Sequence, residues 1–152
     1  MKTIPLTRGH VTIVDDEDYE RLAKFKWRLD DGYAVRSEIQ ESGKMATKRI
    51  HRYIIGNVNG AQVDHVNCDK LDNRRANLRP CTHSQNQFNR GRPSNNTSGH
   101  KGVTWCSSRG KWQSGIWVSG RYIQIGRFQN IQDAIDAYSN AAKEHAGEFA
   151  RA

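Results

Sequence analysis

Ten consecutive residues, "RGRPSNNTSG" at 90–99, combine Pro, Gly, Ser and Asn and contain no apolar anchor. Such a stretch has nothing to anchor in a hydrophobic core, so it reads as a break between two folded parts, with 93–99 as the linker proper. Only 36% of the 152 residues are hydrophobic and the mean hydropathy is −0.86, so apolar material for one large core is short. Small domains or thin layers fit that supply better than one globule. The chain shows no internal repeat.

Charge narrows the partner. Residues 1–43 carry seven basic and nine acidic side chains, 44–92 carry ten and three, and 93–152 carry seven and four. A net +8 and a pI near 9.7 point to a polyanion, because neutralising phosphates releases condensed counterions. The middle segment is where phosphate is expected. Cys68, Cys81 and Cys106 are an odd number without close pairing, which argues against a disulfide framework and for a reducing compartment. No apolar run approaches a membrane span and the first residues lead into no signal-like segment, so a cytoplasmic protein is expected.

Residues 1–44 read as a β-rich extension: "HVTIVDD" alternates, and "GYAVRSEI" resumes the alternation before the turn "ESGK". Between them, "DEDYERLAKFKW" predicts a helix start, with Tyr19, Leu22, Ala23 and Trp27 at apolar positions and the acidic run 15–20 solvated. "KRIHRYIIG" reads as a short helix closed by Gly56.

The segment "VDHVNCDKLDNRRANLRPCTHSQNQ", 63–87, sets an adjacent Asp-His pair and several Asn residues among Lys and Arg. "AQVDH" and "LRPCT" read as strands joined by a long polar loop. Thr82, with Gln85 three residues on, has the form of a capping box opening a helix. Either this is a polar loop on a nucleic-acid-binding surface or it is a metal-dependent site. Phosphodiester hydrolysis needs an activated water and a charge to steady the phosphate. Hard cations favour carboxylate and amide oxygens, which Asp64 and Asn86 would supply. Neighbouring strand residues face opposite sides, so His65 is available for a different task, taking a proton at neutral pH.

Over about residues 45–92 these motifs resemble the HNH endonucleases with a ββα-metal fold, in particular the phage and intron-associated homing group. The resemblance implies that Asp64 and Asn86 bind the metal, that His65 is the general base, and that Asn77, before Leu78, braces the loop. Asn86 stands where the family often has His, which favours one Mg²⁺ or Mn²⁺ over zinc. By charge alone, Arg74, Arg75 and Arg79 are expected to contact phosphates.

From residue 100 the period is clear. "GVTW", "KWQSGIWVSG" and "RYIQIGRF" predict three antiparallel strands, followed by an amphipathic helix with Ile131, Ala134, Ile135, Tyr138, Ala141 and Ala142 on one side. Strand parity sets Trp112, Ile116 and Val118 against Gln113, Gly115 and Trp117, and Ile123 and Ile125 against Tyr122 and Gln124. One face can therefore pack on the helix while an aromatic and polar face remains outward. Residues 99–150 resemble the AP2 DNA-binding domain, in which such a sheet enters the major groove. That resemblance implies DNA-facing positions at Lys101, Thr104, Arg109, Trp117, Tyr122 and Gln124. The plant versions carry Arg at several positions where Thr104, Gly115, Trp117, Tyr122 and Gln124 stand here, so no target sequence carries over.

Other residues have plainer readings. Asp69, Asp72 and Asn73 read as turn residues, His51 as a packed structural side chain and His83 as solvated. Cys68 and Cys81 have no CxxC pairing to suggest zinc. The fold expected is α+β: a small ββα-metal nuclease core (45–92) with its N-terminal extension, linked to a three-stranded sheet packed on one helix (100–152). The expected function is metal-dependent nicking of double-stranded DNA by a monomer or weak dimer in a bacterial or phage-infected cell. The rival is a non-catalytic DNA-binding regulator.

Overall fold

In the computed structural model, residues 1–56, 58 and 60–150 are described, so the last two residues of the 100–152 segment lie outside the description. The chain is α+β, with small antiparallel sheets, and divides into two compact units, Met1–Cys81 and Thr82–Ala152. The division falls inside the segment read as nuclease core, between its second strand and its helix.

Unit 1 begins with a hairpin, β1 (Lys2–Pro5) and β2 (Val11–Val14), and a short helix α1 (Asp16–Leu22). Asp16, Glu17 and Asp18 in the first turn suit the positive end of the helix dipole. The helix stops at Leu22, and Trp27, expected on its apolar side, lies beyond it. Trp27 instead donates its indole N–H to the Leu22 carbonyl at 2.9 Å. The acidic run is not wholly solvated. Asp18 is 1% exposed because Arg75 grips it at 2.8 and 2.9 Å and Arg21 at 3.0 Å. A buried carboxylate survives only with such partners.

A three-stranded meander follows, β3 (Arg28–Asp30), β4 (Tyr33–Ile39) and β5 (Met45–Arg49). The chain then enters α2 (Ile50–Ile55), closed by Gly56 at φ +81°, where side chains other than glycine are strained. The last pair is β6 (Gln62–His65) with β7 (Leu78–Cys81), in a register that sets Asp64 opposite Arg79 and His65 opposite Leu78.

One core holds unit 1 together. Ile4, Leu6 and Val14 from the hairpin, Leu22, Trp27 and Ala34 pack with Ile50, Ile54, Val63 and Leu78. Residues 1–44 therefore complete the body that carries β6 and β7. The hairpin also reaches the long loop between them: Ile13 N–H donates to Leu71 O and Asn73 N–H donates to Ile13 O, both at 2.8 Å.

Unit 2 contains α3 (His83–Asn89), strands β8 (Val103–Cys106), β9 (Lys111–Val118) and β10 (Arg121–Phe128) in the order β10-β9-β8, and α4 (Ile131–Ala146). The capping box at Thr82 and Gln85 is formed from both sides. Helix α4 packs on the sheet through Ala134, Tyr138 and Ala142, against the side carrying Val103, Ser114 and Ile116. Gly102 permits that contact, since a Cβ there would sit 2.1 Å from the Tyr138 ring. The expected parity holds up to Gln124, where a bulge at Ile125 shifts the register so that Gly126 faces Ser114.

Candidate active site

Asp64 and His65 end β6, and both side chains are 5% exposed. Their burial follows from the core beneath β6 and from the loop folded over its end. Asp64 Oδ2 accepts a hydrogen bond from Nε of its cross-strand neighbour Arg79 at 3.0 Å and pairs with Arg79 Nη2 at the same distance. His65 Nε2 lies 3.3 Å from Asn73 Oδ1. Burial, the largest influence, pushes the His65 pKa below its ordinary value; the Asn73 contact and the carboxylates of Asp64, Asp69 and Asp72 oppose that shift. The imidazole is therefore neutral at neutral pH, the form that accepts a proton.

The loop between the strands is internally cross-braced. Asn77 receives the Asn67 backbone N–H on its Oδ1 at 3.0 Å and donates Nδ2 to the Asp72 carbonyl at 2.7 Å. Its own carbonyl accepts from Val66 N–H at 2.9 Å. Asp72, 3% exposed, holds Arg74 through Nε at 2.7 Å and Nη2 at 2.6 Å and accepts from Asn67 at 2.9 Å. Asp69 makes a turn contact to the Leu71 N–H at 2.9 Å.

The three arginines expected at phosphates are thus engaged within unit 1: Arg74 with Asp72, Arg75 with Asp18 and Glu17, Arg79 with Asp64. Asn86 belongs to unit 2. It lies half-buried on α3, its N–H on the Thr82 carbonyl at 3.0 Å and its carbonyl receiving Arg90 N–H at 3.2 Å.

Two side chains with plainer readings in the sequence, a packed His and a turn Asn, stand beside the pair. His51, at the start of α2, is 3% exposed, and its ring meets that of His65 edge to face at 5.2 Å between centroids. Tyr33 packs on both, at 5.6 and 6.1 Å. Burial first, and then His65, Arg49 and Arg52, push the His51 pKa down to about 3, so this second imidazole adds no charge beside the first. Its Nδ1 is buried without a hydrogen-bond partner among the described residues. The other is Asn73, read as a turn residue and found 0% exposed against His65. Polar type and loop context signal a turn; only the tertiary fold brings the imidazole to it.

On unit 2, the pairs Thr104 with Gln113, Trp117 with Tyr122 and Gly115 with Gln124 lie on the sheet face away from α4. Trp117 is 65% and Tyr122 47% exposed, with ring centroids 5.6 Å apart. Gly115 makes room for Tyr122, whose hydroxyl would stand 1.9 Å from a Cβ there. Arg109 is exposed in the turn before β9. Lys101, expected to face DNA, has contacts of its own within unit 2. Its ammonium donates to the carbonyls of Gln87, Phe88 and Arg90, at 3.1, 2.6 and 2.6 Å, and so holds the C-terminal end of α3.

A family model for HNH endonucleases matches residues 48–88, which span α2, β6, β7 and most of α3. An uncharacterized HNH endonuclease, L560, of Acanthamoeba polyphaga mimivirus is 31% identical over 150 residues, covering 94% of this chain and 74% of that one. Protein 3.8 of Escherichia phage T7 is 28% identical over 92 residues, 60% of this chain and 75% of that one. The AP2-like ethylene-responsive transcription factor TOE2 of Arabidopsis thaliana is 34% identical over 55 residues, 36% of this chain but only 11% of that protein. No solved structure matches significantly. The chain belongs to the HNH endonuclease family.

Proposed function

We propose that the protein is a metal-dependent endonuclease of the homing type that nicks double-stranded DNA. It uses the end of β6 for chemistry, within a ββα-metal core over 45–92, and the outer face of the β8–β10 sheet, as an AP2-like domain, for grip. The observation that carries this reading is the Asp64–His65 pair, buried at one strand end, with a carboxylate and a neutral imidazole each fixed by a named partner. In this reading His65 takes the proton of the attacking water, and Asn77 keeps the loop above it closed. Thr104, Arg109, Trp117, Tyr122 and Gln124 meet the DNA.

The donor chemistry fits a hard divalent cation. Among the described residues no group of three His, Cys, Asp or Glu converges as a closed metal cage. Mg²⁺ and Mn²⁺ do not require one, because they keep several waters and take one or two protein oxygens together with substrate phosphate. Asp64 offers the carboxylate, and Asn86, on α3, is the second oxygen the family pattern assigns. When bound, the ion supplies Lewis-acid stabilisation of the scissile phosphate and of the departing 3′ oxygen. One such pair per chain suits a single-strand cut by a monomer. No described helix is long and apolar enough to cross a membrane, and a cytoplasmic site of action fits a DNA substrate.

The rival, a non-catalytic DNA-binding regulator, has one observation in its favour: Asp64 Oδ2 is already bound by Arg79. Conversion of supercoiled plasmid to the nicked form with Mg²⁺ or Mn²⁺ separates the two. Nicking that disappears with chelator and in His65→Ala sustains the nuclease. Duplex binding without cutting under any divalent metal transfers the case to the regulator.

A further inference from the structure

The N-terminal hairpin contributes no residue to the recognised motif, yet it reaches the base through one buried polar chain. Thr12 on β2 and Asn73 in the loop are both 0% exposed, so water cannot complete their hydrogen bonding. The Thr12 hydroxyl donates its single proton to the Leu71 carbonyl at 2.8 Å. Its oxygen is then an acceptor, and Asn73 Nδ2 donates to it at 2.8 Å. The second Nδ2 hydrogen goes to the Lys70 carbonyl at 3.2 Å. With both amide hydrogens committed, the Asn73 side chain has one orientation only. Flipping it would set Oδ1 against a carbonyl and against a hydroxyl whose proton points elsewhere. Oδ1 therefore faces His65 Nε2 at 3.3 Å as an acceptor, and Nε2 must carry the proton. The lone pair of the neutral ring is left on Nδ1.

We propose that Thr12 and Asn73 are positioning residues that lock His65 in the Nε2–H tautomer, so that Nδ1 is the atom that receives the proton of the attacking water. The Leu71 carbonyl, which anchors the Thr12 hydroxyl, also accepts the Ile13 N–H at 2.8 Å, so the relay is built into the backbone pairing of hairpin and loop. The tautomer assignment rests on geometry alone; its catalytic consequence rests on His65 being the base, as proposed above. A wrong tautomer places hydrogen where the lone pair is needed, with little effect on how DNA is held.

The test reads the tautomer directly, on the full-length protein, from the imidazole nitrogen shifts and two-bond nitrogen–proton couplings of ¹⁵N-labelled samples. Wild type is expected to show His65 as Nε2–H. Thr12→Val removes the acceptor for Asn73 with little change of shape, so the amide can turn its Nδ2 towards His65 and an Nδ1–H population should appear. Plasmid-nicking kcat then falls about tenfold, less than the roughly 10²–10⁴-fold loss of removing a positioned base because only part of the population changes tautomer, while KM stays within about twofold. Thr12→Ser, which keeps the hydroxyl, restores both tautomer and rate. Wild-type His65 found as Nδ1–H overturns the relay without any variant, and so does a Thr12→Val tautomer unchanged from wild type. A shifted tautomer with an unchanged rate sustains the relay and sinks the assignment of His65 as base.

Discussion

The two units use the same residue types in opposite ways. Unit 1 carries 15 basic and 12 acidic side chains, and it buries three of the carboxylates. Asp18, Asp64 and Asp72 are each buried to 5% exposure or less, and each is held by arginine. Unit 2 carries nine basic and four acidic side chains. On the side of its outward aromatic pair, Arg109 and Lys111 have no acidic partner among the described residues. A charge paired at home fixes geometry; a charge left in water is available to a polyanion. Residues 44–92 have the largest positive balance of the chain, yet the arginines of the loop and β7 are engaged within the fold. Basic composition and phosphate contact are therefore separable here, and unit 2 is the better candidate for grip.

The largest expected effect falls on chemistry alone. His65→Ala should lower the nicking rate by about a thousandfold, as loss of a positioned base does, with duplex affinity unchanged within about twofold. Matching losses of rate and affinity would mean that β6 also holds the DNA, and the division between the units would fail.

A second difference concerns stability. Asp18→Ala removes the carboxylate that joins Arg75 in the loop to Arg21 on α1, and should cost about 2 kcal/mol in denaturant melts, as losing hydrogen bonds between charged groups does when the arginines left behind are half-exposed. Asp136→Ala on α4, where the carboxylate accepts an exposed Gln132 contact, should stay within about 0.5 kcal/mol. The sign with pH follows. Burial acts to raise the Asp18 pKa, but the hydrogen bonds from Arg75 and Arg21 outweigh it and the folded value is lowered. Its contribution is therefore complete above the unfolded carboxylate value near ~3.9 and disappears as pH falls through the lower folded value. Wild type should lose stability across that acid window more steeply than Asp18→Ala, and parallel curves would remove the carboxylate from the account.

The third effect belongs to unit 2. Trp117→Ala with Tyr122→Ala should weaken duplex binding about tenfold or more, since each exposed ring offers contact worth roughly 1 kcal/mol, while the rate at saturating DNA is preserved. Unchanged binding would leave the sheet face as a surface for some other partner.

What could be read in advance was local. The three strands of unit 2, α4 with its apolar stripe, the capping box at Thr82 and the Gly56 stop all announce themselves within a few residues, because period and cap chemistry are short-range signals. The Asp64–His65 pair and Asn77 were legible through a spaced pattern. The misses share a different cause. Asp18 read as solvated because Arg75, the second arginine that holds it beside Arg21, is 57 residues away. Asn73 read as a turn because the groups that use its amide come from Thr12 and His65. His51 is packed as read, but local sequence did not name the imidazole it packs on. The bulge at Ile125 broke an alternation that local parity had no means to interrupt. In each case a polar or irregular position is decided by a partner brought close only by the fold, where an unpaired group would cost about 1–3 kcal/mol and a paired one costs little.

The smallest effect gives the sharpest comparison, because it asks only what each arginine does with its charge. Each phosphate contact contributes about 0.9 to the slope of log affinity against log salt on duplex DNA. Arg109 is exposed in the turn before β9, so Arg109→Ala should lower that slope by nearly one. Arg74 meets Asp72 through two short contacts, so Arg74→Ala should leave the slope where it was. A slope that fell equally with Arg74 would mean that the ion pair opens on DNA and hands its cation to phosphate. Pairing inside unit 1 would then be a resting arrangement of a continuous basic surface, and the contrast between the units would describe the free protein only.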